Sequence, residues 1–195
     1  MLHKLRQSSL KVKRKLATLR AAKVLRRGGL LAHQTGTVAG IAAHPGCSKS
    51  IKKLQRFKQR NGPFLLLADS ISTALSQARY ISPTLRKMAK KSWPGAVTLV
   101  FPGKPKHHQA CYQQGMLAVR VDGDSESRRL AQLCGGFLLS SSLNRRGSPI
   151  MPLHRQLFRR FSSWLDAQLV HKNISNSNIP SRMYHITHAG VKRLR

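Results

Sequence analysis

The sequence predicts an α/β domain: a twisted sheet covered by helices on at least one face. Two observations lead there. Short runs of apolar and β-branched residues alternate with longer helical stretches, and the junctions carry residues that start and stop helices. Apolar residues make up 41% of 195 residues, enough for the core of one domain with extensions.

Residues 1–27 hold ten Lys/Arg and no acid, with Leu16, Leu19 and Ala22 at three-residue spacing. They predict a basic amphipathic helix or extension, stopped by Gly28-Gly29. Such a segment also fits a mitochondrial presequence. Leu30–His33 reads as a short strand, Ser48–Gln59 as a Lys-rich helix, and the apolar run Phe64–Ala68 as a buried strand. Ser70–Ala78 reads as a short helix. Ser82 caps the next helix, Pro83 opens it, and it runs to Lys91. Val97–Phe101 and Met116–Val121 read as strands, Ser125–Cys134 as a helix capped by Ser125, and Phe137–Ser141 as a strand. Residues 151–170 are expected to be helical and basic, and residues 171–195 a polar and basic tail.

Charge narrows the function. The chain carries 36 Lys+Arg against 5 Asp+Glu, a formal net charge of +31. The five acids are Asp69, Asp122, Asp124, Glu126 and Asp166, too few for a carboxylate cage around a divalent ion. The surplus predicts a polyanionic partner. The cations are spread along the whole chain and the few aromatics are scattered, which favours helical RNA read by shape and phosphate over stacked single strands. Cys47, Cys111 and Cys134 are isolated and predict reduced thiols, with neither a zinc site nor a disulfide framework. No apolar run approaches membrane-spanning length and no secretory signal stands near Met1, so the expected compartment is the cytoplasm, with the mitochondrion as the alternative.

Four segments carry the chemistry. Gln34 to Gly40 (Gln-Thr-Gly-Thr-Val-Ala-Gly) is a small polar loop after a strand; its composition reads first as a plain turn, and its small residues would also let a ligand approach the backbone. Lys58-Gln59-Arg60 places two cations at a helix end, suited to phosphate or simply to the helix dipole. Trp93-Pro94-Gly95 turns into a strand through Thr98. Ser140 to Gly147 puts hydroxyl and amide groups at a strand's carboxyl end, where α/β sheets bind ligands.

In this order the segments resemble the YrdC/TsaC (threonylcarbamoyl-AMP synthase) family. The matching pieces are Gly28-Gly29, Gln34 to Gly40, Lys58-x-Arg60, Trp93-Pro94-Gly95-Ala96-Val97-Thr98-Leu99, Ala118-Val119-Arg120-Val121 and Ser142-Leu143-Asn144-Arg145-Arg146-Gly147, covering about residues 10–150. Pro180-Ser181-Arg182 resembles a further piece near the family's end. The resemblance implies a twisted mixed β-sheet with flanking helices around a concave basic channel, spanning residues 28–170. It implies condensation of L-threonine, bicarbonate and ATP to threonylcarbamoyl-AMP with release of pyrophosphate, for the t⁶A modification of tRNA. Mg²⁺ would arrive on the ATP phosphates. By position, Thr35, Arg120 and Ser141 would contact threonine, and Lys58, Arg60, Thr98, Ser142 and Asn144 the nucleotide.

The chain also departs from the pattern. Gly36 replaces a glutamate, Ala39 an aromatic, His44 an aspartate, Gln34 a proline and Leu143 an alanine. A lysine usual just before the next strand, Phe64–Ala68, is missing at Asn61-Gly62-Pro63. These losses predict a partly stripped site, with Leu143 adding bulk against the ligand. The alternative implied is a catalytically impaired relative that binds double-stranded or structured RNA, such as tRNA, rRNA or a ribosomal particle.

Overall fold

The computed structural model describes residues 2–170, 179–187 and 190–195. The helices are α1 (Leu2–Arg26), α2 (Ser48–Lys58), α3 (Ile71–Leu75), α4 (Pro83–Ser92), α5 (Ser125–Leu133) and α6 (Arg155–Arg160). The strands are β1 (Leu31–His33), β2 (Gly40–Ala43), β3 (Leu65–Ala68), β4 (Val97–Pro102), β5 (Tyr112–Gln113), β6 (Met116–Val121), β7 (Phe137–Ser142), β8 (Ala167–Leu169), β9 (Arg182–Thr187) and β10 (Gly190–Arg193). Nine of these strands follow the order β10-β9-β4-β6-β3-β7-β2-β1-β8, with β5 paired to β6 off this path. The sheet is mixed: β1–β8, β3–β6 and β4–β9 are parallel and the other pairs antiparallel.

Period-two alternation divides the buried residues between the two faces. Leu30, Ala32, Ile41, Ala43, Leu66, Leu99, Val119 and Leu139 face the larger core, with Ile51, Leu54 and Phe57 of α2 and Leu85 and Ala89 of α4. Leu31, Ala42, Leu67 and Leu138 face the other way, against Ala21, Ala22 and Leu25 of α1 and Leu130 and Ala131 of α5.

Several expectations change. The buried stripe of α1 is Thr18, Ala21, Ala22 and Leu25, whereas Leu16 and Leu19 are exposed. The short helix expected over 70–78 is only Ile71–Leu75, capped by Ser70. The cap of α5 is Asp124, not Ser125, because its carboxylate accepts from both Glu126 N and Ser127 N. Residues 151–170 are not one helix. After α6 the chain turns through Asp166, which accepts from Leu30 N at 2.7 Å, and runs parallel to β1 as β8. Nor are residues 171–195 simply a tail: 171–178 lie outside the described residues, while β9 enters the sheet beside β4 and β10 follows it. The alternation in Arg182–Thr187 is a weak strand signal because its residues are mostly half-buried or exposed; pairing with β4 supplies what composition does not.

Candidate functional site

On the sheet face that carries the smaller core, α1 and α5 cover one end. The other end is open. There the outward positions of β4 (Thr98 and Val100), β6 (Ala118 and Arg120), β7 (Ser140 and Ser142) and β9 (Met183 and His185), with Leu65 of β3 between β6 and β7, line a cavity of about 640 Å³. That volume falls in the range of small-molecule sites. The loop between β1 and β2 forms a rim, with Thr35, Thr37 and Val38 at the cavity, and Arg60 borders it from beyond α2.

One pole of the cavity is built on Arg120. Its guanidinium is almost wholly buried and pairs with the equally buried Asp122 at 2.5 Å. Its Nη1 donates to Thr37 Oγ1 at 2.7 Å. Asp122 Oδ1 also accepts from Gly36 N at 2.7 Å and Asp124 N at 2.8 Å, fixing the loop to the end of β6. Thr35 Oγ1 donates to Val38 O at 2.8 Å and accepts from Thr37 N, so the loop is tied to itself as well. Burial pulls the Arg120 pKa down while Asp122 holds it up. Among the described residues, Arg120 Nε has no hydrogen-bond partner.

The other pole is built on Lys58 and Arg60. The Lys58 ammonium is buried and donates to Ser142 O at 2.8 Å, to Asn144 O and to Asn144 Oδ1 at 2.8 Å. Ser142 Oγ donates to the same Asn144 Oδ1 at 2.6 Å. Burial first, and Arg60 second, lower the Lys58 pKa to about 8. Arg60 donates to Pro63 O at 2.7 Å and Ser141 Oγ at 3.3 Å and lies over the Phe64 ring.

The structure therefore brings Thr35, Arg60, Thr98, Arg120, Ser141 and Ser142 to one cavity. Lys58 and Asn144 stand behind its wall, bonded to Ser142 and to each other. Sequence reasoning passed over Thr37, Asp122, Ser181 and Arg195. Thr98 and Ser181 share a hydroxyl hydrogen bond of 2.9 Å, and Arg195 Nε donates to Ser181 O at 3.2 Å. The one advance signal for that wall is the Pro180-Ser181-Arg182 triplet.

The departures fall elsewhere. Gln34, Gly36, Ala39, His44 and Leu143 are all absent from the cavity lining. Leu143 is fully buried in the larger core, so its bulk packs away from the ligand space, contrary to the expectation of crowding. A Cβ at Gly36 would lie 3.0 Å from Asp122 Oδ1, so the loop that lacks its own acid sits tightly on one just past the end of β6. Among the described residues no group of three or more His, Cys, Asp or Glu is placed to hold a metal ion, and no helix is long and apolar enough to cross a membrane.

The comparisons with known proteins agree with this architecture. A threonylcarbamoyl-AMP synthase of Nitrosococcus oceani is 31% identical over 151 residues, covering 75% of this chain and 80% of that protein. A second, of Neisseria gonorrhoeae, is 28% identical over 163 residues, covering 82% and 85%. The fold matches P. abyssi Sua5 complexed with L-threonine at a TM-score of 0.81 and 23% identity, over 91% of this chain but 53% of that one. It matches E. coli YciO at 0.77 and 18%, over 93% and 89%. The chain thus spans about half of the Sua5 chain and most of the curated synthases. The Sua5/YciO/YrdC family model, described as "Telomere recombination", matches residues 23–195, and the chain belongs to that family.

Proposed function

We propose that the protein condenses L-threonine, bicarbonate and ATP to threonylcarbamoyl-AMP, releasing pyrophosphate and water. The observation that carries this reading is that one cavity joins two different anion-binding poles. The Arg120 pole suits an amino acid: a guanidinium held rigid by Asp122 and Thr37 keeps a free donor for a carboxylate, and Thr35, Thr37 and Ser141 supply hydroxyls nearby. The Lys58–Arg60 pole suits phosphates, with Arg60 and Ser142 at the surface and Lys58 and Asn144 fixing Ser142. Thr98, tied to Ser181, belongs to the wall between them.

In the reaction, the threonine amine and bicarbonate form a carbamate and lose water. A carbamate oxygen then bonds to the α-phosphorus as the bond to the β-phosphate bridging oxygen breaks, and pyrophosphate departs with the electron pair. This chain's residues orient the two substrates and offset charge, the main demand of such a transfer. Mg²⁺ enters with the ATP as part of the substrate. The test is pyrophosphate release dependent on ATP, threonine and bicarbonate together, with Ser142→Ala lowering kcat/KM by about 10- to 100-fold. An undiminished rate in Ser142→Ala moves the site, and no rate in the parent chain removes the activity.

A specific observation favours an added RNA-binding role. Four of the five acids already have partners within the protein: Asp122 with Arg120, Asp124 at the α5 cap, Glu126 with Thr18, and Asp166 with Lys53 and Leu30. The surface is left almost purely cationic. Binding to structured RNA through about six phosphates predicts log K falling with log salt at a slope of about −5. A flat salt dependence would reject this role.

A further inference from the structure

Beside the main cavity, and sharing Arg60 with it, lies a second hollow of about 540 Å³ on the edge of α2. Its cations are Lys52, Arg56, Arg60 and Arg146, joined by the amides of Gln59 and Asn61, and no acid lines it. We infer that this hollow is a second phosphate subsite, which takes the pyrophosphate end of the nucleotide and releases it to solvent. The inference rests on the adenylyl-transfer reading and extends it beyond the cavity.

Three facts carry it. First, Lys52 and Arg56 stand four residues apart on one edge of α2, where like charges repel, and Arg60, beyond the end of the helix, joins them at the hollow. Neighbouring Lys53 resolves the same problem by pairing with Asp166 at 2.7 Å. Among the described residues, the side chains of Lys52, Arg56 and Arg146 make no hydrogen bond or ion pair, so the cluster is left for an external anion. Second, the dipole at the end of α2 accounts for Arg56 but not for Arg146, which comes from the loop after β7, two residues beyond Asn144. Arg146 lowers the Arg60 pKa after burial does, as two guanidiniums converging without a carboxylate should. Third, the order of groups fits a nucleotide. An α-phosphate at Ser141, Ser142 and Arg60 directs the two outer phosphates past Arg60, where the cations continue. When the α–β bond breaks, the leaving group carries several negative charges, and this track is where they are offset.

The experiment is calorimetric titration of the full chain with inorganic pyrophosphate, without ATP or threonine, at near-physiological salt. The variant Arg56→Gln/Arg146→Gln changes two exposed side chains, and circular dichroism reports its folding. Lys90→Gln/Lys91→Gln, on the exposed side of α4, removes the same charge elsewhere. The first variant should weaken pyrophosphate binding about tenfold or more, and the second should leave it near the parent value. Unchanged affinity in the first variant overturns the subsite. So does an equal loss in the control, which would mark general attraction, or a loss confined to RNA affinity. Because the titration needs no turnover, an inactive chain that shows the predicted loss keeps the subsite while the proposed activity falls. Full activity with unchanged pyrophosphate binding in the first variant does the reverse.

Discussion

The two poles of the cavity are built on opposite electrostatic plans. At Arg120 the charge is neutralised before any ligand arrives, since Asp122 pairs with it and Thr37 accepts from it inside a nearly closed environment. At Lys58 and Arg60 there is no carboxylate. Backbone carbonyls, one amide and one hydroxyl hold both cations, and their charge stays uncompensated. The first pole is defined by geometry and the second by net charge. The difference teaches why a chain with five acids keeps one of them fully buried: a buried guanidinium without a partner costs far more than the pair.

The most direct way to break this contrast is Asp122→Ala. It strands the buried guanidinium and frees the 34–40 loop, and should cost about 3–5 kcal/mol in unfolding free energy by chemical denaturation. A loss near zero would mean that Arg120 is solvated and that the two poles are alike. Next comes Leu143→Ala, which restores the residue usual in the family. Leu143 packs in the core, one residue past Ser142 of the Lys58–Arg60 pole, so the change should cost about 3 kcal/mol and give no gain in nucleotide affinity. A tighter-binding, equally stable variant would return Leu143 to the ligand space.

The smallest effect sharpens the second pole. The Lys58 pKa is lowered from 10.5 to about 8, chiefly by burial. Between those values the unfolded chain holds a proton that the folded chain has released, so folding stability gains with rising pH over that window. Lys58→Met should lack this gain, and parallel stability curves for both proteins between about pH 8 and 10 would show that Lys58 titrates normally.

Much of the fold was legible. Apolar runs at Phe64–Ala68, Val97–Phe101 and Phe137–Ser141 are strands because their residues are buried between two layers, a demand that composition expresses directly. The Ser82-Pro83 start of α4 stands because its cap is local, with Ser82 accepting from Leu85 N. Two of the misread stretches depend on distant partners. β8 exists through β1, and β9 through β4. For the site, the resemblance found Thr35, Arg60, Thr98, Arg120, Ser141 and Ser142, which meet at the cavity. It reached Ser181 only through the Pro180-Ser181-Arg182 triplet, with no role assigned, and missed Arg195, because the segment holding them has the composition of a tail.

The sequence alone determined the alternation of strands and helices, the cationic surface and the order of the motifs, since each follows from residue type and local spacing. Tertiary structure decided what those motifs face. Parity along β4, β6 and β7 sends Thr98, Arg120 and Ser142 to the open half of one sheet face, while Leu143, one residue further on, packs in the core. Register between strands far apart in the chain sets that parity, and long-range pairing of that kind leaves little trace in the local sequence.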